Sequence, residues 1–480
     1  MPETEQNSRI PSLDYIYHPS SIAIAGVGGD PGGFNAGRNF MEVLLEAGYK
    51  GKIYPLNPKG GQVSGYKIYA NLQEIEDRVD YVISAVPARY APQLMLDCVA
   101  KKVKLVHFFS AGFGESGDET GKQLELQIIN IARQGGIRFT GPNGMGLYCP
   151  KTGLAFSPGL STESGPFGFL SQSGSNVSYV IRESSSRGLF FSKAVSYGNA
   201  ADLNESDFLD YLGTDPETAI IGAYIEGVKD GRRFASIVKK VSSQKPVIVL
   251  KGGTTEAGTR SVASHTGSIA GAEITWNALL RQAGAIQVNS LEELVDITLL
   301  FRFLSPPNGK NVAIVGFGGG IGVQAADTCN RVGLQVPSVS QEIRAKLRTI
   351  WPTEAGSSLG NPFDLFGASG EKTIEMTLTA IAKWEQADIV LVHIPVFINP
   401  RAGAQVLRSY TASLVNLAPQ LNKKTAVVLN FILDEETSSN IGKARTALYK
   451  AGYPVFYSVD HAINAIGRFV KHHNELRISI

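Results

Sequence analysis

The amino-acid sequence predicts an α/β protein of three consecutive doubly wound units. The prediction depends on three short apolar runs, each of which leads into a turn rich in glycine or serine that opens a helix. These runs are Ile22–Gly26, Phe167–Ser171 and Val312–Gly316. Continuous apolar runs of this length are typical of strands buried on both faces of a parallel sheet. At 480 residues the chain is also too long for a single hydrophobic core.

Further apolar runs extend each unit at the spacing of strands joined by helices. The first unit continues with Lys52–Leu56, Tyr81–Val86, Leu105–Phe109 and Ile137–Thr140; the second adds Phe191–Ser196, Ile220–Ile225 and Val247–Lys251; the third has runs near Ile389–Ile394, Ala426–Phe431 and Pro454–Tyr457. Ser305–Gly309 breaks the chain between the last two units. We predict domains over residues 1–147, 148–304 and 305–480. Ligands are expected beyond the carboxyl ends of the strands.

Composition and charge favour a protein that handles small molecules and other proteins. The chain has 45 basic and 43 acidic residues, and no segment concentrates lysine or arginine enough for a nucleic-acid or membrane surface. The three cysteines, Cys98, Cys149 and Cys329, are far apart and lack metal-type spacing, which indicates a reducing compartment. The polar first residues do not form a signal peptide, and no apolar run would span a membrane. We therefore expect a cytoplasmic protein without a metal site.

The first glycine-rich turn, Gly26–Gly33, fits a phosphorylated nucleotide better than a nicotinamide dinucleotide. A GxGxxG motif would need glycine where Pro31 stands, and Asn57-Pro58-Lys59 follows the second strand where a nicotinamide enzyme places an acidic residue. A lysine there suits a phosphate group, and coenzyme A, with its 3′-phosphate and pyrophosphate, fits both observations. A purely structural strand-to-helix turn explains the glycines equally well.

One of the seven histidines, His265, lies in a run of small residues, Ser261–Gly271, between an apolar strand and an amphipathic helix. Such residues leave the ring uncovered and free backbone N–H groups for an anion, so the pattern predicts a loop in which His265 is a phosphate-handling nucleophile. An imidazole with a pKa of about 6.5 attacks phosphorus well near neutral pH, and the phosphohistidine passes the group on. A histidine that only caps a helix is the alternative.

Two further features belong to the second unit. The loop Leu170–Ser175 has the composition of an anion-binding helix N-terminus, although an ordinary N-cap explains it equally well. Its spacing does not fit the GxSxG nucleophile elbow.

Glu226 follows an apolar strand at the rim where ligands bind, so its carboxylate is placed to hold one imidazole nitrogen and leave the other free to attack. Glu205 is the competing carboxylate, but its position indicates a charge in the first turn of a helix.

Taken together, these motifs resemble the α subunits of nucleoside-diphosphate-forming acyl-CoA synthetases, the group that includes ADP-forming acetyl-CoA synthetase and, more distantly, succinyl-CoA synthetase. The resemblance covers nearly the whole chain and depends most on Ser264–Gly271. Supporting motifs are Gly141–Gly146, Ser171–Gly174, Asn57–Lys59, Ser110–Phe113 and Gly360–Asp364. It implies an N-terminal Rossmann-like CoA-binding domain followed by two flavodoxin-like ligase domains.

The resemblance also implies roles for individual residues. The family's phosphoryl carrier corresponds to His265, and the carboxylate that orients it corresponds to Glu226. The phosphate-binding positions correspond to Ser171, Ser173, Gly174 and Gly267, and the CoA-binding positions correspond to Gly28, Gly29, Asp30, Pro31, Lys59, Val86, Pro87, Ser110, Ala111, Gly112 and Asn143. The implied reaction interconverts acyl-CoA, ADP and phosphate with a carboxylic acid, CoA and ATP through an acyl phosphate and a phosphohistidine.

The chain departs from the family pattern at two places and lacks one expected segment. The family usually has cysteine or another residue where this chain has Gly144, and a Gly-Ala-Ser type of turn where it has Gly26-Val27-Gly28. We find no segment of the ATP-grasp type, with the lysine and carboxylates that bind ADP or ATP. The resemblance therefore implies a separate ATP-grasp β subunit, an α₂β₂ assembly, and Mg²⁺ that enters with the nucleotide on that subunit.

Two functions from other classes are alternatives. A CoA or acyl-CoA sensor would keep the fold without turnover, although His265, Glu226 and the Ser171–Gly174 loop are all present. A nicotinamide-dependent oxidoreductase is disfavoured by Pro31.

In the third unit, Gly316–Gly320 has phosphate-binding composition, but a structural turn is its expected role. The sequence leaves the acyl group open, and only the resemblance favours small monocarboxylates.

Overall fold

The computed structural model describes residues 12–28, 35–266, 273–316, 318–351, 358–365, 371–395, 400–430 and 435–478. Its parallel sheets, with strands joined by helices, confirm the predicted α/β fold class. The chain divides into two compact units, which are the first and second unit in all that follows. The first comprises Met1–Arg182 and Phe190–Asn289 and contains two large sheets; the second comprises Glu183–Leu189 and Ser290–Ile480 and contains one.

The first sheet is a five-stranded parallel sheet. The elements in this part of the chain are α1 (Asp14–Tyr17), β1 (Ser21–Ala25), α2 (Ala36–Glu46), β2 (Lys52–Leu56), β3 (Gly61–Val63), β4 (Tyr66–Ile68), β5 (Tyr81–Ser84), α3 (Ala91–Lys101), β6 (Leu105–Phe108), α4 (Glu119–Gly135) and β7 (Arg138–Thr140). The strand order is β2-β1-β5-β6-β7, while β3 and β4 form a separate hairpin. Because the chain steps outward from β1 to β2 and later returns to the other side at β5, the loops after β1 and β5 flank a topological switch point, where such sheets bind ligands.

The second sheet has six strands and the same kind of switch point. Its elements are β8 (Gly146–Tyr148), β9 (Ser164–Ser171), α5 (Gly174–Ser186), β10 (Phe191–Ser196), α6 (Glu205–Thr214), β11 (Ile220–Ile225), α7 (Gly231–Ser242), β12 (Val247–Lys251), α8 (Glu256–Thr266), α9 (Glu273–Ala283) and β13 (Ile286–Val288). The order is β13-β12-β11-β9-β10-β8, with the edge strand β8 antiparallel to β10. The order reverses between β9 and β11, so the loops after these two strands flank the ligand-binding crevice of this sheet.

The second unit is built on a five-stranded parallel sheet. Its elements are α10 (Leu291–Phe303), β14 (Val312–Gly316), α11 (Gly319–Arg331), α12 (Gln341–Ile350), β15 (Phe363–Asp364), α13 (Glu371–Ala382), β16 (Ile389–Pro395), α14 (Pro400–Leu417), β17 (Lys424–Asn430), α15 (Glu435–Lys450), β18 (Val455–Phe456) and α16 (Val459–Ile478). The order is β15-β14-β16-β17-β18. In the parts of the chain described above, no helix is both long enough and apolar enough to cross a bilayer.

The backbone around His265 differs from the predicted loop. It is helical from Glu256 to Thr266, so His265 belongs to the last turn of α8. Thr255 caps this helix, since its Oγ1 accepts the Gly258 N–H at 3.1 Å. The small residues that suggested a loop include alanines, which also favour a helix. The side chain of His265 lies outside the described part of the structure.

Candidate active site

The turn after β1 is held by side chains of the following helix. The Gly28 N–H donates to Asn35 Oδ1 at 3.1 Å, and the Arg38 Nη2 donates to the Gly28 carbonyl at 2.6 Å. Gly37 lets α2 approach this turn, because a Cβ there would lie 2.7 Å from the backbone of Gly26. The predicted CoA-binding residues Gly29, Asp30 and Pro31 lie outside the described residues. The geometry thus places Gly28 at the switch point of the first sheet.

Two hydrogen bonds connect the neighbouring loops of the first sheet to one another. Asn57 Nδ2 donates to the Val27 carbonyl at 3.0 Å, and Asn57 Oδ1 accepts the Lys59 N–H at 3.0 Å, so the exposed Lys59 follows a turn that is anchored to the β1 loop. On the other side of β1, Ser110 Oγ donates to the Val86 carbonyl at 2.5 Å. Pro87 is exposed just beyond Val86. The loops after β1, β2, β5 and β6 therefore form one continuous rim.

A cavity of about 360 Å³ joins this rim to the second sheet. We call it the serine-loop cavity; it is lined by Phe109, Ser110, Ala111, Asn143, Gly144, Met145, Gln172, Ser173, Gly174 and Ser175. The Asn143 N–H donates to the Ser110 carbonyl at 3.2 Å, which links two loops of the first sheet. Gly112 lies beside the cavity lining in sequence but has its N–H bound to Glu115 Oε1 at 2.6 Å. The structure thus brings three predicted CoA-binding residues, Ser110, Ala111 and Asn143, close to two predicted phosphate-binding residues, Ser173 and Gly174.

The loop from Ser171 to Gly174 combines an N-cap with an exposed helix terminus. Ser171 is buried, and its Oγ donates to the Ser173 carbonyl at 2.8 Å and accepts the Ser173 N–H at 3.1 Å. Ser173 Oγ accepts the Asn176 N–H at 3.4 Å, as a cap of α5. Ser173 and Gly174 line the cavity, whereas Ser171 shapes the loop from behind. The N-terminus of α5 therefore faces the cavity with the positive end of its dipole.

Glu226 lies on the opposite side of the second switch point, and hydrogen bonds hold its N–H, its carbonyl and its Oε1. It is 6% exposed, and its N–H donates to Gln172 Oε1, which also accepts the Gly227 N–H at 2.9 Å. Tyr224 donates its hydroxyl to Glu226 Oε1 at 3.2 Å, and Lys251 Nζ donates to the Glu226 carbonyl at 2.7 Å. Because Gln172 lines the cavity, a single amide side chain connects the cavity wall to Glu226.

Helix α8, which carries His265, lies next to the rim of the first sheet. Helix α8 packs against the short 3₁₀ turn Gly114–Ser116, which follows Gly112 in the first sheet's rim. Gly267, the remaining predicted phosphate-binding residue, lies outside the described residues. The competing carboxylate Glu205 is fully buried in the first turn of α6, where it accepts the Lys229 N–H at 3.2 Å. Burial raises the pKa of Glu205, partly offset by backbone hydrogen bonds.

Three residues that hydrogen-bond Glu226 were not predicted from sequence: Gln172, Tyr224 and Lys251. Gln172 lies between the two serines of a predicted loop. A buried amide at that position could have been expected to bond a neighbouring strand. Lys251 ends an apolar run, and a lysine at the carboxyl edge of a buried strand is an available but unused signal. Tyr224 carries no local signal, because its role depends on the pairing of Tyr224 with Ser171 across the sheet.

The structure accounts for the unusual glycine in the loop after β7. A Cβ at Gly144 would lie 2.6 Å from the Ser196 carbonyl oxygen, so no larger residue fits without moving the backbone. The loop is also held by His107, whose Nε2 lies 2.8 Å from the Gly144 carbonyl oxygen. The close packing between the two sheets' loops in this chain therefore depends on the absence of a side chain at Gly144.

The glycine-rich loop after β14 belongs to the second unit. Gly318 has a φ of +93° and donates its N–H to Asp364 Oδ1 at 3.2 Å, which supports the structural turn expected from sequence. A cavity of about 290 Å³ adjoins it, lined in part by Gly319, Asp364 and His393. Within the described ranges, no group of three or more His, Cys, Asp or Glu side chains is arranged to hold a metal ion.

Comparison with known proteins gives the family. Residues 20–150 match the CoA binding domain, and residues 164–301 match the succinyl-CoA ligase like flavodoxin domain. The α subunit of acetate–CoA ligase (ADP-forming) I from Pyrococcus furiosus is 35% identical over 469 residues, which are 96% of this chain and 97% of that protein. The chain belongs to the family of ADP-forming acyl-CoA synthetase α subunits. This finding confirms the resemblance seen in the sequence motifs.

Two further relatives agree with this family. Acetate–CoA ligase (ADP-forming) I from Archaeoglobus fulgidus is 33% identical over 463 residues, and the chain spans 64% of its length. A solved structure of the dinucleotide forming acetyl-coenzyme A synthetase 1 from Candidatus Korarchaeum cryptofilum, in complex with phosphate and ADP, has a TM-score of 0.83 and 28% identity, and covers 98% of this chain and 99% of that chain. By family the chain is therefore an acid–CoA ligase, and the non-catalytic CoA sensor is not favoured.

Proposed function

We propose that this α subunit interconverts a small monocarboxylic acid and its CoA thioester through an acyl phosphate and a phosphohistidine at His265. The observation that supports this most is the serine-loop cavity. There Ser110, Ala111 and Asn143 from the CoA-binding rim meet Ser173 and Gly174 at the N-terminus of α5. A thioester held by the rim and a phosphate held by the helix terminus would then share one space.

In this proposal the reaction has two steps with balanced bonds. Phosphate attacks the thioester carbonyl of acyl-CoA, so that a carbon–oxygen bond forms as the carbon–sulfur bond breaks and CoA leaves as the thiolate. One imidazole nitrogen of His265 then attacks phosphorus; the nitrogen–phosphorus bond forms as the bond to the acyl oxygen breaks, and the carboxylate leaves with the electron pair. Glu226 would hold the other imidazole nitrogen and stabilise the positive ring.

The remaining predicted residues have assigned roles in the same proposal. The Ser173 hydroxyl and the backbone N–H groups at Gly174 and Gly267 would bind phosphate, while Ser171 supports the loop by accepting the Ser173 N–H. CoA would lie along the rim and contact Gly28, Gly29, Asp30, Pro31, Lys59, Val86, Pro87, Ser110, Ala111, Gly112 and Asn143. The domains proposed for these functions are 1–147 for CoA, 148–304 for phosphoryl transfer and 305–480 for the second ligase domain.

We further propose a separate partner for the nucleotide step. An ATP-grasp β subunit would take the phosphoryl group from His265 and transfer it to ADP, with Mg²⁺ entering with that nucleotide, in an α₂β₂ assembly. The Pyrococcus furiosus relative is named as an alpha subunit, which supports a partner of this kind. The longer Archaeoglobus fulgidus relative supports it as well, because this chain spans 64% of its length.

The experiment that tests the function is phosphoryl labelling of the full chain. Incubation with acetyl-CoA and [³²P]phosphate should give a protein label that is acid-labile and base-stable, and His265→Asn should abolish it. His18→Asn is the matched control, because His18 is partly exposed and precedes the amino end of β1, whereas the loops described above lie at the carboxyl ends of the strands; it should leave the label unchanged. Absence of label with acetyl-CoA and with larger acyl-CoAs, in a chain that still binds CoA, would contradict the relay and support the sensor.

A further inference from the structure

Two buried lysines of the second sheet, on the strands next to its two edge strands, have opposite electrostatic surroundings. Lys193, near the start of β10, pairs with Asp215 at 2.9 Å and Glu217 at 2.8 Å. Burial lowers its pKa, but these two carboxylates raise it overall. Lys251, at the carboxyl end of β12, is 5% exposed, and burial lowers its pKa to about 8 against the opposing charge of Glu226. The first lysine forms ion pairs with two carboxylates, whereas the described residues place no carboxylate in ion-pair contact with the second.

The contacts of Lys251 are with backbone oxygens and one aromatic ring. Its Nζ donates to the Glu226 carbonyl at 2.7 Å and to the Gly252 carbonyl, and lies 5.3 Å from the centroid of the Trp276 ring. Among the residues described, no carboxylate oxygen lies within 4.0 Å of this ammonium. A buried charge without an ion-pair partner costs several kcal/mol, so it is seldom retained for stability alone.

These contacts act on the backbone of Glu226. Ile225 pairs with Lys251 in the parallel ladder, so the lysine side chain reaches the carbonyl of the next residue. Gln172 Oε1 accepts the Glu226 N–H from the other neighbouring strand end. The main chain of Glu226 is therefore held at its N–H by one strand and at its carbonyl by the other, while Tyr224 binds the carboxylate.

We propose that Lys251 is a positioning residue for phosphoryl transfer. It fixes the end of β11, so that the Glu226 carboxylate keeps its place, and its ammonium group adds a positive charge at the carboxyl end of β12. The inference rests on the proposed function. A phosphohistidine held by Glu226 brings a dianionic phosphoryl group toward a carboxylate, and a nearby ammonium offsets that repulsion. Lysine is suited to this role because it is a compact charge with three donors, two of which are used by carbonyls.

The test compares labelling with folding in the full chain. We would measure the initial rate of ³²P label from acetyl-CoA and [³²P]phosphate, together with the thermal midpoint, for Lys251→Met and Lys251→Arg. Lys251→Met should slow labelling at least tenfold and leave the thermal midpoint unchanged or higher, because a costly buried charge is replaced by an apolar chain of similar length. Lys251→Arg should recover part of the rate.

Lys245→Met is the matched control, since Lys245 precedes the same strand at its amino end and also donates to two carbonyls, those of Leu212 at 2.9 Å and Asp215 at 2.7 Å. It should label at the wild-type rate. The inference is overturned if Lys251→Met labels as fast as wild type, or if its rate falls only in proportion to a lower thermal midpoint. If wild type takes up no label, the proposed function fails and the inference fails with it; label that is lost only in His265→Asn and kept in Lys251→Met overturns the inference alone.

Discussion

Gly174, the first residue of α5, lies directly against Met145 from the loop that follows the first sheet. A Cβ at Gly174 would lie 2.6 Å from Met145 Cγ, and both residues line the serine-loop cavity. The absence of a side chain at Gly174 therefore lets the helix N-terminus and the loop approach each other. This contact fixes the width of the space in which we expect the thioester and the phosphate to meet.

Gly174→Ala should impair catalysis more than folding. The added methyl group would push Met145 into the cavity, and overpacking of this kind costs about 1–3 kcal/mol where neighbours cannot move. We expect kcat/KM for acyl-CoA to fall about tenfold, which corresponds to about 1.4 kcal/mol. Gly231→Ala is the control, because Gly231 is the first residue of α7 and a Cβ there meets nothing within 4 Å. Equal kinetics for the two variants would show that the Met145 contact does not matter.

Glu226 and Glu205, two buried carboxylates in the domain of the second sheet, should respond differently to neutral replacement. Glu226→Gln removes the charge that we assign to orienting His265, and loss of such a supporting group reduces activity about 10- to 100-fold. Glu205→Gln should have little effect on labelling, because the contact of Glu205 is with the Lys229 N–H, which an amide oxygen also accepts. The rate of ³²P labelling in both variants measures this. A larger loss in Glu205→Gln would reverse the assignment.

The strands that carry the site could be predicted because their signals are local. Ile22–Gly26 and Phe167–Ser171 are apolar runs that end in small residues, and the structure places a strand at each, β1 and β9. The loops after them carry several of the predicted site residues, of which Ser173 and Gly174 line the cavity. Few other structures give a sequence in which a short apolar run leads directly into a turn of small residues.

The residues that hold Glu226 could not be predicted, because their roles arise from pairing between distant segments. Gln172 reaches Glu226 since Tyr224 pairs with Ser171, and Lys251 reaches it since Ile225 pairs with Lys251. Strand order and register are not written in either segment alone. The helix at His265 was missed for a different reason: alanine and serine suit both a helix terminus and a loop.

The buried His107 should make the first unit sensitive to mild acid. Its ring is fully buried, and its Nε2–H donates to the Gly144 carbonyl at 2.8 Å, since a carbonyl only accepts. Burial lowers the pKa of His107 from 6.5 to about 4, against the effect of this hydrogen bond. Between these values the unfolded chain binds a proton that the folded chain does not, so stability falls as the pH falls. The contribution lost between pH 7.5 and pH 5 is about 2 kcal/mol.

His107→Gln should remove this pH dependence while an amide donor remains near Gly144. Thermal midpoints of wild type and the variant at several values between pH 7.5 and pH 5 would show wild type losing stability faster on acidification. His18→Gln should follow the wild-type curve, because His18 is partly exposed. Parallel curves for wild type and His107→Gln would contradict the buried, neutral assignment.

In the second unit, His461 should show the opposite pH dependence. Its Nδ1 lies 2.8 Å from Asp296 Oδ2, while Arg187 Nη2 donates to Asp296 Oδ1 at 2.5 Å. The hydrogen bond to Asp296 raises the pKa of His461, although partial burial and the Arg187 charge oppose it. The stabilisation is therefore complete below the unfolded pKa of about 6.5 and is lost as the pH rises through the higher folded pKa. Because the His461 side chain is 48% exposed, the stabilisation by its interaction with Asp296 is about 0.5 kcal/mol.

His461→Gln should therefore lower the thermal midpoint at pH 6 and have a smaller effect at pH 8.5. Asp296 would keep its ion pair with Arg187 in this variant, so the second unit should remain folded. Asp296→Asn is the contrasting change: it leaves the fully buried Arg187 guanidinium with Glu183, at 3.4 Å, as its remaining carboxylate, and removing one partner of a buried pair costs about 3–5 kcal/mol. A His461→Gln effect that grows with pH would mean that the imidazole is neutral when it binds Asp296.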